Sequence, residues 1–389
     1  MGGRRTGSRL MPRLDLPGPM LRRGPRPLMM HLLPAPPPPT PPLPTQAPPT
    51  PAAAWPGWAD PALIHGIAAY RRHPWRRSLP DPAVLWQEAD TRLLDYGAGD
   101  PRARPVLFVP SLVNRAYVLD LLPDRSLLRW LAAHGLRPLL LDWGWPGVED
   151  RNLTLAGLVT GRLERALAAA GRPVVLAGYC MGGLLALAAA LRRPDLVEAL
   201  ALLATPWDFH AAHAEEARRL GAMLPLFEPM LAATGSLPVD ALQALFATPD
   251  PGAIAAKFRA FGRMDQASPA ARDFVALEDW LNDGVPLAAP VARETLGEWY
   301  GLNTPGRGVW QVDGSTVEPG RLAMPAFIAA PARDRIVPPD SALPLARLIP
   351  GAVLHQPRAG HIGMVAGPRA EAELWRPLLG WLQGLRPIM

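Results

Sequence analysis

Cys180 is the sole cysteine of the 389-residue chain, and it lies in Gly178-Tyr179-Cys180-Met181-Gly182-Gly183. An apolar run precedes this segment and an alanine- and leucine-rich run follows it. That context gives the form of a sharp strand-to-helix turn, which lifts a nucleophile above the edge of a sheet. Gly178 and Gly182 occupy the positions where larger side chains would collide, and Gly183 allows close approach of the helix. A cysteine at a helix N-terminus has its thiolate favoured by the helix dipole. The backbone N–H groups of Met181 and Leu112 are the candidate donors to an oxyanion. The competing role for a lone cysteine is that of a small buried hydrophobe; the strand before it and the helix after it favour the nucleophile.

A cysteine nucleophile needs a base, and the base needs an orienting group. Asp334 lies in Ala332-Arg333-Asp334-Arg335-Ile336-Val337-Pro338, just after an apolar strand, and His361 lies in Gly360-His361-Ile362-Gly363 after the next one. Of the eight histidines, His355 competes, but it falls inside a strand rather than a glycine-flanked loop. Cys180, Asp334 and His361 are therefore the candidate catalytic set. No metal site is expected.

The elements that must position these residues are readable from residue 104 onward. Pro105–Pro110, Pro138–Asp142, Pro173–Ala177 and Val197–Ala204 are short apolar runs of the kind that form buried parallel strands. Between them lie helical stretches from about Ser126 to His134, Leu155 to Ala170, and Met181 to Arg193. Strand character returns at Pro325–Ala330 and Ala352–His355, and a last helix runs from about Ala370 to Leu385. Alternating strands and helices imply a parallel sheet covered on both faces. With the elbow and the order Cys, Asp, His, the expected fold is an α/β-hydrolase fold with a helical cap inserted at the carboxyl end of the sheet. The division is a basic, proline-rich and disordered tail over 1–56, the first part of the core over 57–206, the cap over 207–322, and the rest of the core over 323–389. Residues 57–100 read as short helical pieces laid against the core.

The 50 prolines and the net charge of +6 are both unevenly distributed. Pro36–Pro39 are consecutive within a tract from Leu33 to Pro56 that favours polyproline II and builds no core. Residues 1–54 carry seven arginines against one acid, so they account for the whole net charge. The body is neutral, and nucleic-acid binding loses its main support. This leader reads as disordered, or as an over-extended start with initiation at Met11, Met20 or Met29. No stretch reaches the length of a transmembrane helix. A single cysteine permits no internal disulfide and agrees with a reducing compartment, so the cytoplasm is the expected location.

Together these segments resemble the polyhydroxyalkanoate synthases, and the short chain is closest to the two-component members. Val109–Leu121 is similar to the family's P-x-x-x-N-x-x-Y-x-x-D-L stretch, Asp142-Trp143-Gly144-Trp145-Pro146 to its Asp-Trp-Gly-x-Pro turn, and Gly178–Gly183 to its cysteine-bearing box. The Asp334 and Gly360–Met364 segments are similar to its acid and histidine segments; Arg335 stands where a histidine is common. The resemblance implies an acyltransferase that polymerises (R)-3-hydroxyacyl-CoA with release of CoA, through an acyl group held on Cys180. His361 would be the base and Asp334 its orienting acid. It implies no cofactor beyond the CoA of the substrate. Its expected partners are a polyester granule, a second synthase subunit and a second copy of the chain in a homodimer. The alternatives are a cysteine hydrolase, thioesterase or depolymerase, and a non-catalytic granule-associated protein.

Overall fold

A computed structural model describes residues 21–27, 60–97, 100, 102–247 and 251–386. Eight strands form the main sheet: β1 (Ala83–Glu88), β2 (Thr91–Asp95), β3 (Arg104–Val109), β4 (Leu136–Asp142), β5 (Val174–Tyr179), β6 (Val197–Leu203), β7 (Ala326–Ala329) and β8 (Val353–His355). Their spatial order is β1-β2-β4-β3-β5-β6-β7-β8. The β1–β2 and β2–β4 pairs are antiparallel and the remaining pairs parallel. Strands β3 to β7 are covered on both faces. Leu107, Val109, Leu139, Leu141 and Leu176 pack into one buried cluster, and Val106, Phe108, Leu140, Val175 and Ala177 into the other. Burial on both faces is why these strands read as unbroken apolar runs rather than alternating ones.

The segment before β3 differs from expectation. Among the described residues of this segment there is a single helix, α1 (Pro61–Arg72), followed by the β1–β2 hairpin. Two features concealed the hairpin. β1 is a largely exposed edge strand, so it lacks a half-buried alternation, and its turn uses Ala89 at φ +50° where glycine or asparagine usually marks a hairpin. Helix α1, begun by the Asp60 cap on Leu63 N–H, also packs elsewhere than the sheet. Its Leu63, Ile67 and Tyr70 join Phe258, Phe261 and Val275 of the later insertion in one buried cluster. Gly66 makes that approach possible, since a Cβ there would lie 1.9 Å from the Phe258 carbonyl oxygen.

The Asn114–Asp120 motif has a clear structural part. Asp120 is fully buried, and its carboxylate accepts from Ser126 Oγ at 2.6 Å, Arg129 Nε at 2.7 Å, Arg77 Nη2 at 3.0 Å and Tyr96 Oη at 3.2 Å. Ser126 caps helix α2 (Leu127–Ala133) by accepting from Arg129 N–H. A buried carboxylate is tolerated because every neighbour donates to it.

Between β6 and β7 the chain is mainly helical, with helices Ala214–Ala222, Leu224–Thr234, Val239–Ala247, Pro251–Phe261 and Pro269–Asn282, and a further helical run over 289–301. The two ends of this insertion are tied together. Asn303, buried at φ +52°, accepts from Phe209 N–H at 2.9 Å and donates to Asp208 at 2.8 Å. His210 Nε2 meets the Tyr300 carbonyl oxygen at 2.8 Å.

Part of the expected disordered tail is docked. Arg22 is 7% exposed, and its guanidinium spans Asp279 at 2.8 Å and the carbonyls of His73 and Trp75. Arg26 N–H donates to Asn282 Oδ1 at 2.9 Å. The proline tract 33–56 and the candidate starts Met11, Met20 and Met29 lie outside the described residues. Removing the Arg22 guanidinium leaves Asp279 in a partly dry site. Arg22→Ala should therefore lower the free energy of unfolding by about 2 kcal/mol, below the range for fully buried pairs because Asp279 keeps some water. Urea denaturation measures this.

Candidate active site

The site is built on the turn out of β5. Cys180 has φ +55° and ψ −130° and begins the helix Met181–Arg192, called α3 here. This conformation is costly for a residue with a Cβ and persists only where packing enforces it. The surrounding glycines show what enforces it. A Cβ on Gly178 would lie 2.3 Å from Gly183 Cα, one on Gly182 would lie 2.2 Å from the Val109 carbonyl oxygen, and one on Gly183 would lie 1.8 Å from Thr205 Oγ1. The helix start is thus pressed against the ends of β3 and β6, and Cys180 N–H donates to the Leu203 carbonyl at 2.8 Å. Cys180 itself stays partly exposed.

Asp334 and His361 arrive from the carboxyl ends of β7 and β8. Backbone pairing continues past the strands, with Ala332 N–H donating to Pro357 at 2.9 Å and Arg333 N–H to Ala359 at 3.1 Å. This extended zipper sets the two loops side by side. Asp334 uses both oxygens: Oδ1 accepts from the N–H groups of Ile336 and Val337 at 2.8 and 2.9 Å, and Oδ2 lies 2.7 Å from His361 Nδ1. Asp334 is 5% and His361 6% exposed. The His361 ring lies near enough to Cys180 to feel its charge, and because Nδ1 faces Asp334, Nε2 is the nitrogen left for the sulfur. Arg335 points to solvent, so the family's usual histidine at that position has no counterpart in this cluster.

Electrostatics bind the group together. Burial of the His361 ring is the largest influence and disfavours its charge. Charge on Cys180, the hydrogen bond to Asp334, the closeness of the Cys180 sulfur and the Asp334 charge outweigh it, raising the imidazolium to about 10. Two tyrosines not singled out from the sequence complete the surroundings. Tyr179 packs its ring 5.1 Å from that of His361 and donates its hydroxyl to the His361 carbonyl at 3.3 Å. Tyr300 comes from the insertion; its burial and the charge on Cys180 push its phenol up to about 12. Tyr179 was visible inside the elbow, but the strand periodicity alone gave it no partner. Nothing local linked Tyr300 to a cysteine 120 residues earlier.

The other expected positions are also resolved. Met181 begins α3, and Leu112 lies in the loop after β3. Neither backbone N–H has a hydrogen-bond partner among the described residues, leaving both free for an oxyanion. His355 is engaged elsewhere: its Nε2 meets the Glu373 carbonyl at 2.5 Å and its ring stacks on Phe327.

Residues 105–368 match the alpha/beta hydrolase fold family, and the chain belongs to it. Within that family its sequence is similar to polyhydroxyalkanoate synthases. The poly(3-hydroxyalkanoate) polymerase subunit PhaC of Haloferax mediterranei is 29% identical over 309 residues, which cover 77% of this chain and 63% of that protein. The protein of the same name from Synechocystis is 29% identical over 296 residues, covering 73% of this chain and 78% of the relative. That of Allochromatium vinosum is 29% identical over 300 residues, covering 74% and 83%. The chain therefore spans less than two thirds of the first of these relatives.

Two outcomes follow from this geometry. Gly182→Ala would force a methyl group against two backbone carbonyls; it should destabilise the fold by about 1–3 kcal/mol, the usual range for overpacking, as read from the denaturation midpoint. Cys180→Ala removes the largest upward influence on His361, so its imidazolium should titrate at lower pH than in the unchanged protein. NMR of ring-labelled histidine follows this directly.

Proposed function

We propose that the chain is a polyhydroxyalkanoate synthase that polymerises (R)-3-hydroxyacyl-CoA through an acyl group carried on Cys180. The observation that carries this reading is a cysteine held in a strained elbow, within electrostatic reach of a buried, hydrogen-bonded His361–Asp334 pair. The polymerase names of the sequence relatives supply the substrate class.

The Cys180 thiolate attacks the thioester carbonyl, forming a carbon–sulfur bond. The resulting oxyanion is stabilised by the Met181 and Leu112 N–H groups. Collapse of this adduct breaks the bond to CoA, whose sulfur takes the proton from His361. The acyl group now sits on Cys180, again as a thioester. In the next step His361 Nε2 accepts the proton of a 3-hydroxyl, the hydroxyl oxygen attacks the acyl carbonyl, and an ester forms as the cysteine sulfur leaves. Asp334 holds His361 in the tautomer that presents Nε2 and stabilises its charged form. A serine would hold the acyl group as an ester, less reactive toward the incoming hydroxyl. No cofactor other than the CoA of the substrate enters this scheme.

The helical insertion 207–322 serves in this reading as the cap over Cys180, through Tyr300, whose ring packs against Phe209. No helix among the described residues is long and apolar enough to cross a membrane. The working location is the cytoplasm at the surface of a polyester granule, with a second synthase subunit and a homodimer as the expected assembly.

Incubating the protein, with its partner subunit where required, with (R)-3-hydroxybutyryl-CoA should release CoA and deposit insoluble polyester. Cys180→Ala and His361→Gln should each lower CoA release at least about a thousandfold, as removal of a nucleophile or base does in comparable sites. Free 3-hydroxybutyrate as the sole product would establish a hydrolase instead. Unchanged CoA release by Cys180→Ala would remove Cys180 from the chemistry.

A further inference from the structure

The Asp142–Pro146 turn and Trp280 take no part in the acyl-transfer steps, yet both touch the loop that carries Leu112. That loop, residues 110–115, is held from opposite sides. From the sheet, Trp143 Nε1–H donates to the Pro110 carbonyl at 3.1 Å, and the Arg115 guanidinium reaches Asp142 Oδ2 at 3.3 Å. From the insertion, Trp280 Nε1–H donates to the Arg115 carbonyl at 2.7 Å. Val285 N–H donates to the Val113 carbonyl at 2.8 Å, and Asn114 pairs with Gly284. Both indoles are buried, Trp143 at 9% and Trp280 at 5% exposure.

Each indole is itself fixed. The Trp143 carbonyl accepts from Thr91 Oγ1 at 3.0 Å, and Thr91 in turn receives Arg162 Nη1 at 2.9 Å. Gly144 follows at φ +74°, where a Cβ would lie 2.2 Å from the Asp90 carbonyl oxygen. Trp280 sits near the end of helix α4 (Pro269–Asn282), the helix that Arg22 clamps through Asp279. The near end of the loop also abuts the elbow, because a Cβ on Gly182 would meet the Pro110 carbonyl oxygen at 2.4 Å. The indole contacts therefore fall on the first and last residues of the loop, and the Leu112 N–H between them has no hydrogen-bond partner among the described residues.

We propose that Trp143 and Trp280 are positioning residues, whose indole N–H groups fix the two ends of loop 110–115 so that the Leu112 N–H is set toward the oxyanion above Cys180. The inference rests on the acyl-transfer reading for its substrate only. An indole suits the task because it fills a buried site and offers a donor with no acceptor. A donor displaced by a fraction of an ångström stabilises the developing charge less while ground-state binding is little altered, so the effect belongs in kcat rather than KM.

The test uses Trp143→Phe and Trp280→Phe, which keep a ring and delete the donor, with Trp381→Phe as the control; Trp381 packs on Phe327 away from this loop. Turnover of (R)-3-hydroxybutyryl-CoA is measured alongside two substrate-free readouts. One is the rate of iodoacetamide alkylation, which reports on Cys180 alone because no other cysteine exists. The other is amide hydrogen exchange over 111–115. Expected for both variants are a loss of kcat of about tenfold to a hundredfold with KM changed by less than about twofold. Alkylation should be unchanged and exchange in the loop faster, while the control matches the unchanged protein. A kcat within about twofold of the unchanged protein in both variants, or a loss matched by an equal fall in alkylation rate, would overturn the proposal. If the unchanged protein releases no CoA, the acyl-transfer reading fails, and faster loop exchange with unchanged alkylation still decides whether the indoles hold the loop.

Discussion

The close approach of the Met181–Arg192 helix to the ends of β3 and β6 is the constraint on which the rest of the site depends. It puts Cys180 at a positive φ that a non-glycine residue adopts only under duress, and it requires that Gly178, Gly182 and Gly183 have no side chains. The strain is distributed over a packed interface rather than stored in one bond. Val109 and Pro110 present their carbonyls to the elbow, so the position of the sulfur and the path of the following loop are decided together.

From that starting point the other groups fall into place by continuation of the sheet. The parallel pairing of β7 with β8 extends beyond the strands and aligns the acid loop with the histidine loop. Asp334 then divides its oxygens between its own turn and His361. A buried imidazole would ordinarily lose its charge. Here two neighbours of opposite sign reverse that tendency, and the three groups share one electrostatic balance.

Much of this was readable in the order of the residues. Buried parallel strands write themselves as apolar runs, and β3 to β7 and the helices between β3 and β6 were placed within a few residues, while the insertion between β6 and β7 was read only as helical. The Ser126 cap and the glycines around Cys180 are local devices with local signals. The β1–β2 hairpin was missed because an exposed edge strand and an alanine in the turn carry neither of the usual marks. Helix α1 was assigned to the wrong neighbour, since an amphipathic stretch specifies an apolar face but not the surface that covers it. The docked segment 21–27 was hidden for a similar reason: Arg22 resembles every other arginine of the leader until Asp279 and two carbonyls surround it.

The sequence by itself determined which chemistry is available: a lone cysteine in a turn that only small neighbours permit, followed in order by an acid and a histidine. Those features depend on residue type and on spacings of a few positions, which fix local backbone geometry directly. The tertiary structure alone decided how the groups act on one another. It set the charge balance of His361, brought Tyr300 from the insertion toward Cys180, and anchored the Leu112 loop to Trp143 and Trp280 from opposite sides. These are contacts between residues far apart in the chain, selected by packing and burial, and no short stretch of sequence contains both partners.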